Sequence, residues 1–167
     1  MINLELISAE IFISLSIMFL LILGVFKKNS SSLVHNFSIS FLLITGILIL
    51  NNPSESSVTL FTNSYIIDSL SSLMKIITII GGAFVLSISK NYLKISKIFL
   101  IEYPILILCS ILGMLVMISS NDLIVFYIGL ELQSLALYVL ASFNRDQLKS
   151  SESGLKYFVL SALSSGL

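Results

Sequence analysis

Unbroken apolar runs, each close to the length of a bilayer crossing, make up most of this chain. A helix needs about 20 apolar residues to cross the hydrocarbon core. The first run extends from about Ile7 to Phe26, with Glu10 near its start. The second, Val34 to Leu50, closes on Asn51-Asn52-Pro53. The third runs from Tyr65 to Ile88 and carries Asp68 and Lys75. The fourth runs from Ile98 to Ile118, with Glu102 and Pro104 in its opening turns, where proline is best tolerated because its missing N–H leaves no acceptor unpaired. The fifth, Asp122 to Phe143, contains Glu131, and a sixth opens near Gly154 and continues to Leu167. That last stretch rises about 21 Å, short of the ~30 Å core, so it is expected to be completed by further chain or by a partner. Serine-rich stretches at 30–32, 54–57 and 150–153 read as loops. The expected fold is all-α, a polytopic transmembrane bundle of about six helices with the last incomplete.

Lysine and arginine placement supports this count independently. Lys27 and Lys28 follow the first run, Lys90, Lys94 and Lys97 the third, and Arg145 and Lys149 the fifth. The loops after the second and fourth runs hold no basic residue, and none precedes the first run. Basic and non-basic loops therefore alternate, which puts the N-terminus on the outer side. The first run does not read as a signal peptide, because Glu5 and Glu10 stand where a basic region is expected.

Composition narrows the function. Only 11% of the 167 residues are charged and 56% are hydrophobic, against roughly 25% charged in soluble domains. An ordinary soluble enzyme is excluded. Nine basic and nine acidic residues cancel, which removes the electrostatic footprint of a nucleic-acid binder. One cysteine and one histidine leave no soft-ligand metal site, and no haem or iron–sulfur ligand set is present. Cys109, between Ile and Leu, is expected to be a small buried apolar residue, and His35, beside the start of the second span, a solvated or interfacial one. Gly81, Gly82 and Gly113 are candidates for close helix approach.

Candidate chemistry lies in the charges within the spans, since intramembrane ionisable groups mark ion pathways, proton relays or paired charges. Asp68, Lys75, Glu131 and Lys156 are such residues. Glu131 is central to the fifth span, and Tyr127, Glu131, Ser134 and Tyr138 share a helical face at i−4, i, i+3 and i+7. That face can hydrogen-bond a carboxylate and hold water beside it. Two roles remain open for Glu131, proton exchange and a structural ion pair tying two helices together. Lys156, three residues into the sixth span, reads alone as a snorkelling anchor. Asp68, Ser72 and Lys75 share one face, but Asp68 and Lys75 are about 10 Å apart along the helix. Each is expected to meet a partner on another helix or subunit.

Several of these residues stand in longer motifs. Asn121-Asp122-Leu123-Ile124, then Gly129-Leu130-Glu131-Leu132-Gln133-Ser134-Leu135 with Tyr138, resembles the family of subunit 2 of respiratory complex I, the NADH:ubiquinone oxidoreductase. Glu152-Ser153-Gly154-Leu155-Lys156-Tyr157-Phe158-Val159-Leu160, with Ala162 and Ser164-Ser165-Gly166, resembles the same family, as does Asp68-Ser69-Leu70-Ser71 with Lys75. The resemblance implies an antiporter-like membrane-arm subunit of about fourteen helices built on two inverted repeats, with ion sites near the bilayer midplane. It implies that residues 1–97 form three leading helices and that residues 98–167 open the first repeat. It implies that Glu131 pairs with a lysine on a broken seventh helix, outside this sequence, and that Lys156 belongs to the same charged chain. Tyr127, Ser134, Tyr138, Asp68 and Lys75 are then supporting residues.

The function so implied is proton translocation coupled to quinone reduction, as part of a translocase whose redox chemistry lies elsewhere. No cofactor or metal is expected in this chain; FMN, iron–sulfur clusters and ubiquinone are expected on other parts of the complex. Expected partners are lipid, other membrane-arm subunits and a second polypeptide or segment carrying helices seven onward. Two rivals are an assembly fragment with no proton path of its own, and a subunit of a multi-subunit cation/proton antiporter. The expected location is the mitochondrial inner membrane with the N-terminus on the intermembrane side; the alternative is a bacterial plasma membrane with the N-terminus periplasmic.

Overall fold

The computed structural model describes residues 4–26, 31–51, 57–96, 98, 100–144 and 146–166. Lys27, Lys28, Lys97, Arg145 and Pro53, on which parts of the topology argument fall, lie outside these residues. A short 3-10 turn (Leu4–Ile7) leads into α1 (Ser8–Phe26), followed by α2 (Ser31–Asn51). A two-stranded hairpin comes next, β1 (Val58–Leu60) and β2 (Tyr65–Ile67), and then α3 (Ser69–Ile95), α4 (Glu102–Ile118), α5 (Leu123–Ala141) and α6 (Leu148–Gly166). All six expected helices form. By length and apolar composition α1, α2, α3 and α5 can each cross a membrane, and α4 is a shorter apolar helix.

Successive helices pack side by side and antiparallel. At one end, Lys90 of α3 donates to the Asn36 side chain of α2, Gly24 of α1 touches Ile101, and the Tyr103 and Phe143 rings meet edge to face. Lys90, Lys94 and Lys149 all fall at this basic end. The hairpin lies at the other. Val58 pairs with Ile67, Thr59 with Ile66 and Leu60 with Tyr65, in antiparallel register. The Ile66 N–H donates to the Ser119 carbonyl and the Asn121 N–H to the Ser64 carbonyl, so the α4–α5 connection lies along the hairpin.

The hairpin corrects the expected third span. Tyr65, Ile66 and Ile67 form β2, and the helix starts four residues later than the apolar run, at Ser69. Asp68 therefore caps α3 from outside rather than lying within the helix. Its side chain accepts from the Ser71 N–H at 2.7 Å while the Ser71 hydroxyl oxygen accepts from the Asp68 N–H at 2.9 Å, which makes a capping box at the helix start. These bonds hold the Asp68 carboxyl below the usual carboxylate range. α6 also departs from its expected start, beginning at Leu148 rather than near Gly154, so Lys156 is its ninth residue and lies in mid-helix.

The main core lies between α1, α2, α3 and α4. Ile13, Leu20, Leu42, Leu86, Leu108, Ile111 and Leu115 are almost fully buried there. Half-buried Cys109 packs against this cluster. His35 is not interfacial as expected. It is fully buried in α2, and its Nε2–H donates to the Leu86 carbonyl of α3 at 2.8 Å. Outer surfaces remain apolar, with Phe84, Ile124, Leu160 and Leu163 among the exposed large side chains. That suits lipid or further protein rather than water.

Candidate functional site

Two charged regions emerge, one closed within the chain and one open. The closed region is at the hairpin end. Lys75, in the second turn of α3, donates to Glu10 Oε1 of α1 at 2.6 Å. The Tyr65 hydroxyl of β2 donates to the same oxygen at 2.7 Å and receives a hydrogen bond from Lys75 at 3.3 Å. The Lys75 and Glu10 side chains are 4% and 8% exposed. Burial, followed by the negative charge of Glu10, raises the Tyr65 hydroxyl above its ordinary range and keeps it a donor. Lys75 thus meets a partner on another helix, as expected. That partner, Glu10, was not among the sequence candidates. An acidic residue near the start of one span and a basic residue inside another is the signal that could have paired them.

The open region is built on α5. Its first residues are held by Asp122, whose side chain accepts from the Ile124 N–H. Halfway along, α5 crosses α4 at backbone contact. A Cβ on Gly113 would sit 2.7 Å from both the Gln133 nitrogen and the Gly129 carbonyl oxygen. A Cβ on Gly129 would sit 2.9 Å from the Gly113 carbonyl oxygen and the Met117 nitrogen. The close approach expected at Gly113 is present, and Gly129 is its counterpart. Gly81 has open space around it. Glu131 is the ninth of 19 residues in α5, at the level of this crossing. It is half-buried, and among the described residues its carboxylate makes no ion pair or side-chain hydrogen bond.

The supporting face around Glu131 forms only in part. Tyr127 is 47% exposed. The Ser134 hydroxyl donates to the Glu131 backbone carbonyl at 3.1 Å, not to its carboxylate. Tyr138 is buried against α6, where its ring meets Tyr157 and Phe158 and its hydroxyl bonds Ser161. Packing of Gly154 against Ser142 fixes the same antiparallel register. Lys156 then lies level with residue 140 of α5, about 13 Å along the axis from Glu131. The two do not pair. Lys156 is exposed and bonds Glu152 at 2.6 Å within its own helix.

Comparison with known proteins adds to this geometry. Residues 120–167 match the family described as NADH:quinone oxidoreductase/Mrp antiporter, transmembrane. The chain is 78% identical over 165 residues to NADH-quinone oxidoreductase subunit N of Pelagibacter ubique (strain HTCC1062), covering 99% of this chain and 35% of the relative. It is 50% identical over 166 residues to subunit N of Bartonella bacilliformis, covering 99% and 34%. For subunit N of Maricaulis maris the values are 43% identity over 167 residues, 99% and 35%. Fold and matches together make the chain similar to one class, the antiporter-like, polytopic helical membrane subunits of NADH-quinone oxidoreductase. Within that class the resemblance to the subunit 2 family, named subunit N in these bacterial relatives, holds along nearly the whole chain. The chain spans about a third of the length of the curated relatives it matches.

Proposed function

We propose that this chain is the N-terminal part of a proton-translocating membrane-arm subunit of NADH:quinone oxidoreductase, and that Glu131 takes part in the proton path. The observation that carries this reading is Glu131 itself. It is a half-buried carboxylate in mid-helix, on a helix of membrane-crossing length, with no counter-charge among the described residues. An intramembrane carboxylate is normally matched by a positive group or a polar path, and the described residues offer Glu131 neither an ion pair nor a side-chain hydrogen bond. A lysine on a later helix of the same subunit fits that role. The 78% identity to a subunit N sequence supports the subunit assignment.

Lys156 is assigned to the onward path rather than to pairing with Glu131, because about 13 Å separates their levels. Flavin, iron–sulfur and quinone chemistry is assigned to other subunits, and the partners proposed are those subunits and the remainder of this one. Bacterial relatives favour the plasma membrane over the mitochondrial inner membrane, with the basic end cytoplasmic and the hairpin end periplasmic. The test is Glu131→Gln in the assembled complex, reading protons moved per electron. A lowered ratio in fully assembled enzyme supports the assignment. An unchanged ratio with poorer assembly favours a purely structural role.

A further inference from the structure

We infer that the Glu10–Tyr65–Lys75 cluster is a binding site for one ordered water, which bridges Glu10 Oε2 and the third proton of the Lys75 ammonium. This inference does not depend on the proton path proposed for Glu131.

A count of donors and acceptors leads to it. Glu10 Oε1 receives two hydrogen bonds, from Lys75 and Tyr65. Glu10 Oε2 is buried and, among the described residues, has no hydrogen-bond partner. The Lys75 ammonium carries three protons, of which two are used, on Glu10 Oε1 and the Tyr65 hydroxyl. One anionic oxygen and one ammonium proton are therefore unused on the same ion pair. A charged oxygen left unpaired at this depth is costly, and buried water is the usual remedy where a polar space can hold it.

Such a space lies beside them. A cavity of about 20 Å³ is lined by Glu10, Lys75, Ser72, Ser8, Ile49 and Ile67, among others. One water needs roughly 10–15 Å³ and two to four polar partners. Here it donates to Glu10 Oε2 and accepts from Lys75. The Ser72 hydroxyl donates to the Asp68 carbonyl at 2.9 Å, so its oxygen can accept the second water proton. The space is too small for an organic ligand. Lys75 opposes a metal cation and Glu10 an anion, so the neutral dipole of water is the species that satisfies both.

A structure of the assembled complex at a resolution that shows ordered water tests this directly. The inference requires solvent density within hydrogen-bond distance of both Glu10 Oε2 and Lys75 Nζ. Density absent there, or a side chain or lipid filling the space, overturns it. A second arm uses the double variant Glu10→Leu/Lys75→Met, which removes the two charged partners of the water and leaves only the Ser72 hydroxyl. Loss of the density supports the bridge, whereas density that persists in the variant overturns it. Glu131→Gln should leave the water in place, so failure of this inference and failure of the proton-path proposal are distinguishable.

Discussion

The hairpin end and the middle of α5 handle buried charge in opposite ways. At the hairpin end, Glu10 of α1 and Lys75 of α3, 65 residues apart in sequence, neutralise each other inside the chain. On α5, Glu131 lies on a helix of similar apolar character with no partner among the described residues, and Lys156 is tied only to its neighbour Glu152. The core reflects the same division. α1 to α4 share one apolar cluster, whereas α5 and α6 keep much of their surface exposed. The first region stabilises itself. The second has its packing set at the Gly113–Gly129 crossing, and among the described residues it has no ion pair between helices. A paired charge holds helices together, whereas a carboxylate without a counter-charge adds no such tie.

The largest expected effect breaks the closed side. Glu10→Ala alone, or Lys75→Ala alone, leaves a buried charge without its partner and should cost about 3–5 kcal/mol. The double change Glu10→Leu/Lys75→Met should cost far less, since exchanging a buried pair for apolar groups is often neutral. Thermal unfolding of the three variants in the complex checks the ordering. If the double variant is as unstable as the singles, the account of the pair is wrong.

Next is the crossing that fixes Glu131. Gly113→Ala pushes a Cβ against the backbone of α5, which cannot move aside as a flexible side chain could. Overpacking of this kind costs about 1–3 kcal/mol. Gly81→Ala, with nothing nearby, should be tolerated. Comparing how much assembled complex each variant yields separates the two.

Smaller effects belong to the helix starts. Removing the cap with Asp68→Ala should cost about 1 kcal/mol. Its carboxyl lies below its usual value in the fold, so the stabilisation is complete above the unfolded value of about 3.9 and is lost as pH falls through the lower, folded value. An unfolding midpoint that drops with acid in the parent but not in Asp68→Ala would show this. The smallest effect is expected at Glu152→Ala, because an exposed i,i+4 pair contributes only about 0.3–0.5 kcal/mol. A large loss there would mean that Lys156 depends on Glu152 for more than solvation.

Helix number and order were legible because apolar run length and basic-loop alternation are both one-dimensional signals. The hairpin was not. Its turn uses Phe61, Thr62 and Asn63 at positive φ, without the glycine or proline that usually marks such a bend. Tyr65-Ile66-Ile67 merged into the following helix because a short apolar run fits strand and helix equally. The start of α6 was missed because its first two turns are polar, so hydropathy sees only the second half. Glu131 stood out by its place in an apolar run and its motif. The Glu10–Lys75 contact could not be read, since it is a relation between distant segments.

The most direct measurement sets the two regions against each other in one assay. Protons moved per electron are determined for assembled complexes carrying Glu131→Gln or Glu10→Leu/Lys75→Met. The account predicts a lowered ratio for Glu131→Gln and a normal ratio for the double variant. A normal ratio for Glu131→Gln together with a lowered ratio for the double variant would contradict it.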